Sequence, residues 1–193
     1  MNRVQRCPWA FEKNPLYVEY HDKEWGVPVY NDRIIFEFLV LESAQAGLSW
    51  SIVLNKRENY RKAFAQFGPK KIAQFTAKDV TKLIKNAGIL RNRAKIKATI
   101  NNAKRFLEVQ KEFGAFSKYI WSFVDGKPLQ NRFRHMKNLP AITPKAEALS
   151  KDLKKRGFKF LGPTVIYAHM QATGMVNDHL ISCFRHHQVK MSI

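Results

Sequence analysis

The chain has 193 residues, a length that predicts one domain or two tightly joined lobes. Its hydrophobic fraction of 45% is ordinary for a globular protein, and charges interrupt every apolar run. No membrane-spanning segment and no signal peptide are therefore expected. Only two cysteines occur, far apart in sequence, which argues against a disulfide scaffold and favours a reduced, cytoplasmic protein.

The charge balance narrows the class of partner. Lysine and arginine number 34 against 15 acidic residues, which gives a net charge of +19. A basic surface of this size attracts polyanions and makes their binding depend on salt. Nucleic acid is the favoured partner, and an acidic membrane surface or no polyanion at all are the alternatives.

Helix signals dominate the first two-thirds of the chain. Asp32 is predicted to cap a helix with apolar side chains at helical spacing, and Ser49 to cap a second. The segment Thr76–Asp79 has the pattern of a capping box that opens a third helix. After a turn at residues 87–90, a long basic helix is predicted from about Asn92 to Phe113.

The last third continues in the same way, without strand alternation or repeats. The predicted elements are a short helix over Phe116–Val124, a loop over Leu129–Ile142, a helix from Thr143–Pro144 to Gly157, a helix from Gly162–Pro163 to about Gly174, and a last helix capped by Asn177 that holds His179 and Cys183. Together these signals predict an all-α fold.

Cysteine and histidine at the two ends of the chain suggest a metal site. His179 and Cys183 are four residues apart and would share one face of a helix. Cys7 and His21 could complete a tetrahedral set, and thiolate and imidazole ligands suit zinc. Unconnected residues are the alternative, because this is not a zinc-finger spacing. Two further histidines compete with His179 for the fourth position: His186 and His187.

A hairpin between two helices carries a second candidate site. Gly88 is expected to permit a tight turn with positive φ, and the backbone N–H groups beyond it suit a phosphate oxygen. Arg91, Arg93 and Lys95 add cations around the turn. The alternative is an ordinary corner between two helices with a solvated basic face.

Aromatic residues and one carboxylate form a third candidate site. Trp9, Tyr20, Trp25 and Trp50 offer flat faces on which a nucleobase could stack, although each could simply belong to the core. Glu42 lies in an apolar helical run, where a carboxylate either faces solvent or is buried for a reason. A buried Glu42 would favour a cationic purine and accept hydrogen bonds from it.

The chain resembles the DNA-3-methyladenine glycosylase I family over nearly its whole length. The matching motifs are Cys7-x-Trp9, Pro15–Tyr17, Tyr20–Pro28, Leu41–Trp50, Lys56–Tyr60, Trp121–Val124, Leu149–Phe160 and Met175–His179. The segment Leu83–Lys95 is also similar to the helix-hairpin-helix motif, although Leu90 stands where that motif usually has a second glycine.

The resemblance implies a helix-hairpin-helix DNA glycosylase-like fold with two helical lobes, one over 33–125 and the other over 1–32 plus 126–193. A zinc clip is implied to join the terminal segments, with one structural Zn²⁺ ion. Its implied ligands are Cys7, His21, His179 and Cys183. The tail after Cys183 receives no role.

The resemblance also assigns the substrate site. Trp9, Tyr20, Glu42 and Trp50 are implied to recognise the base, with Glu42 ionised, and no general base is assigned. A loop is implied to probe the gap left in the DNA, formed by Gln45, Gly47 and Leu48. The hairpin residues implied to contact DNA are Gly88, Arg91, Arg93 and Lys95.

The implied activity is hydrolysis of the N-glycosidic bond of 3-methyladenine in alkylated double-stranded DNA. A monofunctional, monomeric enzyme is expected to flip the nucleotide, release free 3-methyladenine and leave an abasic site. One alternative is a non-catalytic protein that binds damaged or abasic DNA on the same scaffold. The other is a zinc-stabilised basic helical protein with a partner other than DNA.

Overall fold

The computed structural model describes residues 4–11, 14–45 and 47–191, so Ala46 of the motif after Glu42 lies outside the described residues. Helices dominate these ranges, and none of them is both long and apolar enough to cross a bilayer. The helices are α1 Pro15–Lys23, α2 Asp32–Gln45, α3 Trp50–Ala63, α4 Pro69–Ile72, α5 Ala77–Lys85, α6 Arg93–Phe113, α7 Phe116–Trp121, α8 Pro144–Lys155, α9 Pro163–Ala172 and α10 Phe184–Met191.

Side chains cap the starts of several helices. The predicted capping box of Thr76 and Asp79 opens α5, and Asn92 Oδ1 accepts the Lys95 N–H at 3.1 Å at the start of α6. Thr143 caps α8 as predicted. Sequence reasoning missed α1, although Asn14 caps it and proline occupies its first position. Such caps satisfy amides that have no partner inside the helix.

Asn31, not Asp32, caps α2, so that prediction is wrong. Asn31 Oδ1 accepts two amides of the first turn, at 3.0 and 3.2 Å. The Asp32 carboxylate reaches α7 instead and accepts the backbone N–H groups of Phe116 and Ser117, each at 2.7 Å. Because its negative charge lies at the N-terminus of α7, Asp32 fastens that helix to α2.

A short parallel pair of strands accompanies the helices, although the sequence shows no strand alternation. β1 (Leu129–Gln130) pairs with β2 (Val176–Asn177), with Leu129 opposite Val176. Strands of two residues leave no alternation to detect, and their partners are distant in sequence. The remainder of the predicted 129–142 loop contains a 3-10 turn over Met136–Asn138.

The predicted last helix is also wrong in its bounds. Asn177 belongs to β2, and its side chain donates to Gln130 Oε1 at 2.9 Å and to the His186 backbone carbonyl at 3.0 Å. His179 and Cys183 therefore lie in an irregular segment, and α10 begins only after Cys183. Their approach to each other depends on this turn rather than on a helix face.

Helix α2 is the central element, with every side chain from Ile35 to Ala44 buried. It packs against α3, α6 and α9, and its C-terminal end therefore lies between α3 and α9. Gly174 brings the chain after α1 onto the end of α9, since a Cβ there would lie 2.3 Å from the Val27 carbonyl carbon. The division into lobes at 33 and 125 stays a prediction.

Candidate functional site

Two sulfurs and two imidazole nitrogens converge where the N-terminal segment meets the turn after β2. The groups belong to Cys7, His21, His179 and Cys183, all buried, and their ligand atoms lie within 4.8 Å of one another. His179 Nδ1 is 3.7 Å from Cys7 Sγ and 3.6 Å from Cys183 Sγ, and His21 Nε2 is 3.4 Å from Cys183 Sγ. This buried set could hold a metal ion.

The other nitrogen of each histidine is already occupied. His21 Nδ1 lies 2.8 Å from Asp22 Oδ1, and Arg6 in turn donates to the Asp22 carboxylate. His179 Nε2 lies 2.9 Å from the Trp25 backbone carbonyl. Such outer contacts fix which nitrogen points inward and how each ring is oriented.

The two alternative histidines do not join this cluster. His186 Nε2 lies 2.8 Å from the Asn131 backbone carbonyl, and the His187 side chain is exposed. His179 therefore occupies the fourth position among the described residues.

Beside the cluster lies a cavity of about 210 Å³ with an aromatic lining. Its walls come from α1, α2, α3 and α9, from the segments around residues 9 and 25, and from the loop between β1 and α8. The lining residues are Trp9, Tyr17, Tyr20, Trp25, Glu42, Gln45, Trp50, Met136, Leu139, Ala168 and Gln171. The aromatic and polar residues predicted for base recognition are thus brought together in one cavity.

The rings of the pocket support one another and rest on the histidines of the cluster. Tyr20 and Trp50 lie 5.5 Å apart at 49°, an open wedge rather than a closed stack. Trp25 meets the edge of His179 at 4.6 Å, and Trp9 meets the edge of His21 at 5.0 Å. The cluster of cysteines and histidines therefore also backs the wall of the pocket.

Glu42 is the one carboxylate in the lining of this cavity. It is 4% exposed, and burial alone raises the pKa of its carboxyl from 4.5 to about 8. No hydrogen bond within the described chain reaches this carboxyl, and the Trp50 indole N–H in the same wall also lacks a partner. Without a ligand, the Glu42 carboxyl is therefore largely protonated at pH 7. The predicted ionised form requires a cation close to this carboxyl.

Glu37, one and a half turns earlier on α2, has the opposite surroundings. It is 6% exposed, and Arg57 Nε donates to its Oε1 at 2.5 Å while Arg61 donates at 2.8 and 3.1 Å. Equal burial on one helix thus yields one fully paired carboxylate and one that faces a cavity.

The cavity continues into a groove of about 400 Å³ along the end of α2. Glu42, Gln45 and Ala168 line both spaces. Gly47, with φ of +86°, turns the chain there, and Leu48 is 41% exposed. The predicted probing loop therefore lies at the mouth of the pocket.

The predicted hairpin joins α5 to α6, but Gly88 does not have the predicted positive φ. Glycine is needed there for space instead, because a Cβ would lie 3.1 Å from the Asn59 side chain. The Gly88 N–H donates to Asn86 Oδ1, and the Leu90 N–H donates to the Tyr60 hydroxyl oxygen at 3.2 Å. These amides are therefore already occupied.

The cations of the hairpin differ in their surroundings. Arg91 and Arg93 are exposed, whereas Lys95 is half-buried and its Nζ donates to the Ala44 carbonyl at 2.9 Å. Burial lowers the pKa of Lys95. Lys95 thus ties the start of α6 to the end of α2, beside the probing loop.

The family model described as methyladenine glycosylase matches residues 9–186. The chain belongs to this family. It is 51% identical to the DNA-3-methyladenine glycosylase of Haemophilus influenzae over 178 residues, which cover 92% of this chain and 96% of that protein.

Solved structures of methyladenine glycosylases share the fold. A crystal structure of 3-methyladenine DNA glycosylase I matches with a TM-score of 0.91 at 50% identity, covering 93% of this chain and 98% of the other. A second, from Staphylococcus aureus, describes the basis of 3-methyladenine recognition. It matches with a TM-score of 0.89 at 42% identity, over 91% and 94% of the two chains.

Several pocket residues of this methyladenine glycosylase were not among the sequence predictions. Tyr17 is in the predicted aromatic stretch, and its spacing from Tyr20 on α1 was an available signal. Gln171 and Ala168 share a face of α9, but nothing in their identity signals a pocket. Met136 and Leu139 come from the aperiodic loop, where sequence reasoning has no period to use.

Three acidic residues that follow the hairpin in sequence lie on the surface and not in the pocket. Asp125 is exposed beside Lys145, Glu108 pairs with Arg105, and Glu112 pairs with Arg156. None of these carboxylates lines the cavity.

Proposed function

We propose that this chain hydrolyses the N-glycosidic bond of 3-methyladenine in alkylated double-stranded DNA, as a monofunctional glycosylase. One observation carries the proposal: Glu42 is buried in an aromatic cavity with no hydrogen-bonding partner in the described chain. A buried polar group without a partner is costly, so its retention is best explained by a ligand that completes it.

The chemistry of a methylated purine suits this cavity. Methylation at N3 makes the base of a deoxyadenosine cationic, and a nearby cation favours the ionised form of a buried carboxyl. Binding of the flipped base is therefore expected to release the proton of Glu42. Its carboxylate then accepts hydrogen bonds from the purine edge, while Tyr20 and Trp50 stack against the ring.

The bond that breaks is already weak, because the cationic base is a good leaving group. The bond electrons move to the base, which departs as neutral 3-methyladenine, and the sugar becomes an oxocarbenium-like cation. Water adds to that carbon and loses a proton, which leaves an abasic site. Less transition-state stabilisation is required than for a normal base, consistent with a site that has no assigned general base.

DNA binding is proposed for the loop at the pocket mouth and for the hairpin beside that loop. Leu48, with Gln45 and Gly47, would occupy the gap left by the flipped nucleotide. Arg91 and Arg93 would contact phosphates, and Gly88 would act by closing the turn that presents them, because its own N–H is bonded to Asn86 Oδ1. Lys95 would act mainly by holding the hairpin against α2, given its bond to the Ala44 carbonyl.

The buried cluster suits one structural Zn²⁺. Zn–S bonds of about 2.3 Å and Zn–N bonds of about 2.0–2.1 Å at tetrahedral angles place sulfur and nitrogen about 3.6 Å apart. Three of the four sulfur–nitrogen distances in the cluster are 3.4, 3.6 and 3.7 Å. Four protein ligands leave no position for substrate, so the ion would join the terminal segments, as the predicted clip does, and take no part in the reaction.

The fold and setting complete the proposal. The chain is proposed to have a helix-hairpin-helix arrangement with two lobes around the pocket. It is also proposed to be a monomer in the bacterial cytoplasm, as fits a DNA repair enzyme whose relatives are bacterial. The non-catalytic alternative is less favoured, because an abasic-site binder has no use for a buried, unpaired carboxyl.

Release of free 3-methyladenine from methylated duplex DNA tests the proposal. The wild-type chain is expected to release it, and Glu42→Gln to lose about 100-fold or more in rate, since one or two charge-assisted hydrogen bonds of about 1.5–3 kcal/mol each are weakened. Glu58→Gln, at an exposed carboxylate on α3, should retain full activity. A wild-type protein that binds abasic DNA without releasing any base would instead support the non-catalytic alternative.

A further inference from the structure

A second buried carboxylate lies behind the pocket, and both of its oxygens accept hydrogen bonds within the protein. Asp178 is 1% exposed, and its Oδ1 accepts from Asn131 Nδ2 at 2.6 Å. Its Oδ2 accepts from the Tyr167 hydroxyl at 2.5 Å and from Gln171 Nε2 at 2.7 Å. Neither the predicted base-recognition set nor the metal cluster includes Asp178, Tyr167 or Gln171.

This carboxylate determines which way the Gln171 amide points. Both Asp178 oxygens act as acceptors, from Asn131, Tyr167 and Gln171, so the amide NH₂ of Gln171 faces Asp178. A flipped amide would place Gln171 Oε1 against Asp178 Oδ2, with two acceptors at hydrogen-bonding distance. The amide oxygen is therefore directed away from Asp178.

Gln171 also lines the cavity that contains Glu42. No hydrogen bond within the described chain reaches Gln171 Oε1, while Nε2 donates to Asp178. The side chain thus brings to the pocket an acceptor whose orientation is fixed by that bond. The Glu42 carboxylate and this oxygen are both acceptors in the lining of the pocket.

We infer that Gln171 Oε1 accepts a hydrogen bond from the exocyclic amine of the bound purine, with Asp178 as its positioning residue. This rests on the proposed function. The adenine amine carries two hydrogens, so Glu42 and Gln171 can each accept one. Guanine has a carbonyl oxygen at that place, which would face the Gln171 oxygen with two acceptors opposed. Gln171 is therefore a residue that selects 3-methyladenine over 3-methylguanine.

The test compares the two free bases directly. Dissociation constants for 3-methyladenine and 3-methylguanine are measured by quenching of the intrinsic tryptophan fluorescence, as three of the lining residues are tryptophans. In Gln171→Met, of similar size without the oxygen, the preference for 3-methyladenine should fall about 10-fold, the worth of one hydrogen bond. An unchanged preference, or equal weakening of both bases, overturns the inference.

Two further variants separate positioning from packing. Asp178→Asn permits the Gln171 amide to flip and should lower the preference as Gln171→Met does, with metal content checked because His179 is adjacent. Tyr167→Phe removes another bond to the same Asp178 oxygen but leaves Gln171 held, so the preference should persist. An equal loss in Tyr167→Phe overturns the inference. A wild-type protein that binds neither base contradicts the proposed function itself, which is a distinct outcome.

Discussion

The cluster of cysteines and histidines and the pocket beside it are two buried polar regions that differ in how far their polar groups are paired within the protein. In the cluster, His21 and His179 point one nitrogen toward the sulfurs and give the other to Asp22 or to the Trp25 carbonyl. In the pocket, Glu42 has no hydrogen-bonding partner in the described chain. The histidine rings of the cluster contact the tryptophan rings of the pocket, so the two regions are adjacent. The difference in pairing therefore does not come from distance or from depth of burial.

This contrast distinguishes polar groups that stabilise the fold from polar groups that bind a ligand. Polar groups that satisfy one another inside the protein stabilise it or fix its geometry. A carboxyl that burial holds at a raised pKa weakens the empty protein at neutral and alkaline pH, and this cost is recovered only when a cation arrives. The cluster is thus expected to act on stability and the pocket on ligand binding, and each prediction below tests one side of that division.

Removal of a cluster ligand should have the largest effect on stability. Cys183→Ala leaves three ligands in a buried site, so the metal content should fall from one ion per chain toward zero. The free energy of unfolding should drop by several kcal/mol, because binding of a structural metal is part of the folding free energy. Elemental analysis and thermal unfolding measure both quantities.

His187→Ala is the matched control, since this exposed histidine lies outside the cluster. It should keep both the metal and the melting temperature. A Cys183→Ala protein that retains one ion per chain with unchanged unfolding would show that the cluster is not the metal site.

Glu42→Gln should stabilise the unliganded protein increasingly as pH rises. The pKa of Glu42 in the folded protein is about 8, above its ordinary value of 4.5. This carboxyl therefore costs the wild type no stability below pH 4.5, and its cost grows as the pH rises above 4.5 and through about 8. Glutamine carries no charge to bury. The variant should therefore match the wild type near pH 5 and exceed it by at most about 5 kcal/mol at pH 9, at about 1.36 kcal/mol per pKa unit.

Glu37→Gln provides the comparison on the same helix. Glu37 is equally buried but paired with Arg57 and Arg61, so the change should destabilise the protein by about 1–3 kcal/mol. Urea unfolding at pH 5, 7 and 9 measures both variants. A Glu42→Gln effect that stays constant over this range would contradict the raised pKa.

The smallest expected effect concerns a partner of the cluster. Asp22→Ala removes the carboxylate that orients His21, and metal affinity should fall by about 10–100-fold while one ion still binds. Competition with a chelator measures this affinity. Glu19→Ala, at an exposed residue of α1 that pairs only with Lys23, should leave it unchanged. If both variants hold the metal equally well, the outer contact does not support the ligand.

Local signals in the sequence predicted much of the fold. The capping box at Thr76, the helix predicted to begin at about Asn92 and the Thr143–Pro144 start rest on signals within one helical turn, and the structure confirms all three. The β1–β2 pair was missed because two-residue strands owe their existence to a distant partner rather than to their own residues. Asn31 displaced Asp32 as a cap because both residues have the right chemistry, and only tertiary contacts with α7 decide between them.

Features of the site that follow from residue type could be predicted from the sequence. Features that depend on neighbouring elements of the fold could not. Cys7, His21, His179 and Cys183 were named from their ligand chemistry, yet the turn that brings the last two together is not visible in their spacing. Glu42 was singled out by its apolar neighbours. That Glu37 is paired and Glu42 is not depends on arginines of α3, which no pattern within α2 reveals.

The central claim is that the Glu42 carboxylate binds the methylated purine inside the aromatic pocket. A crystal structure of the protein with free 3-methyladenine tests it most directly. The account predicts the base between Tyr20 and Trp50, with a Glu42 oxygen within hydrogen-bonding distance of the purine edge. A base bound at any other place, or a Glu42 side chain turned away from it into solvent, would contradict the account.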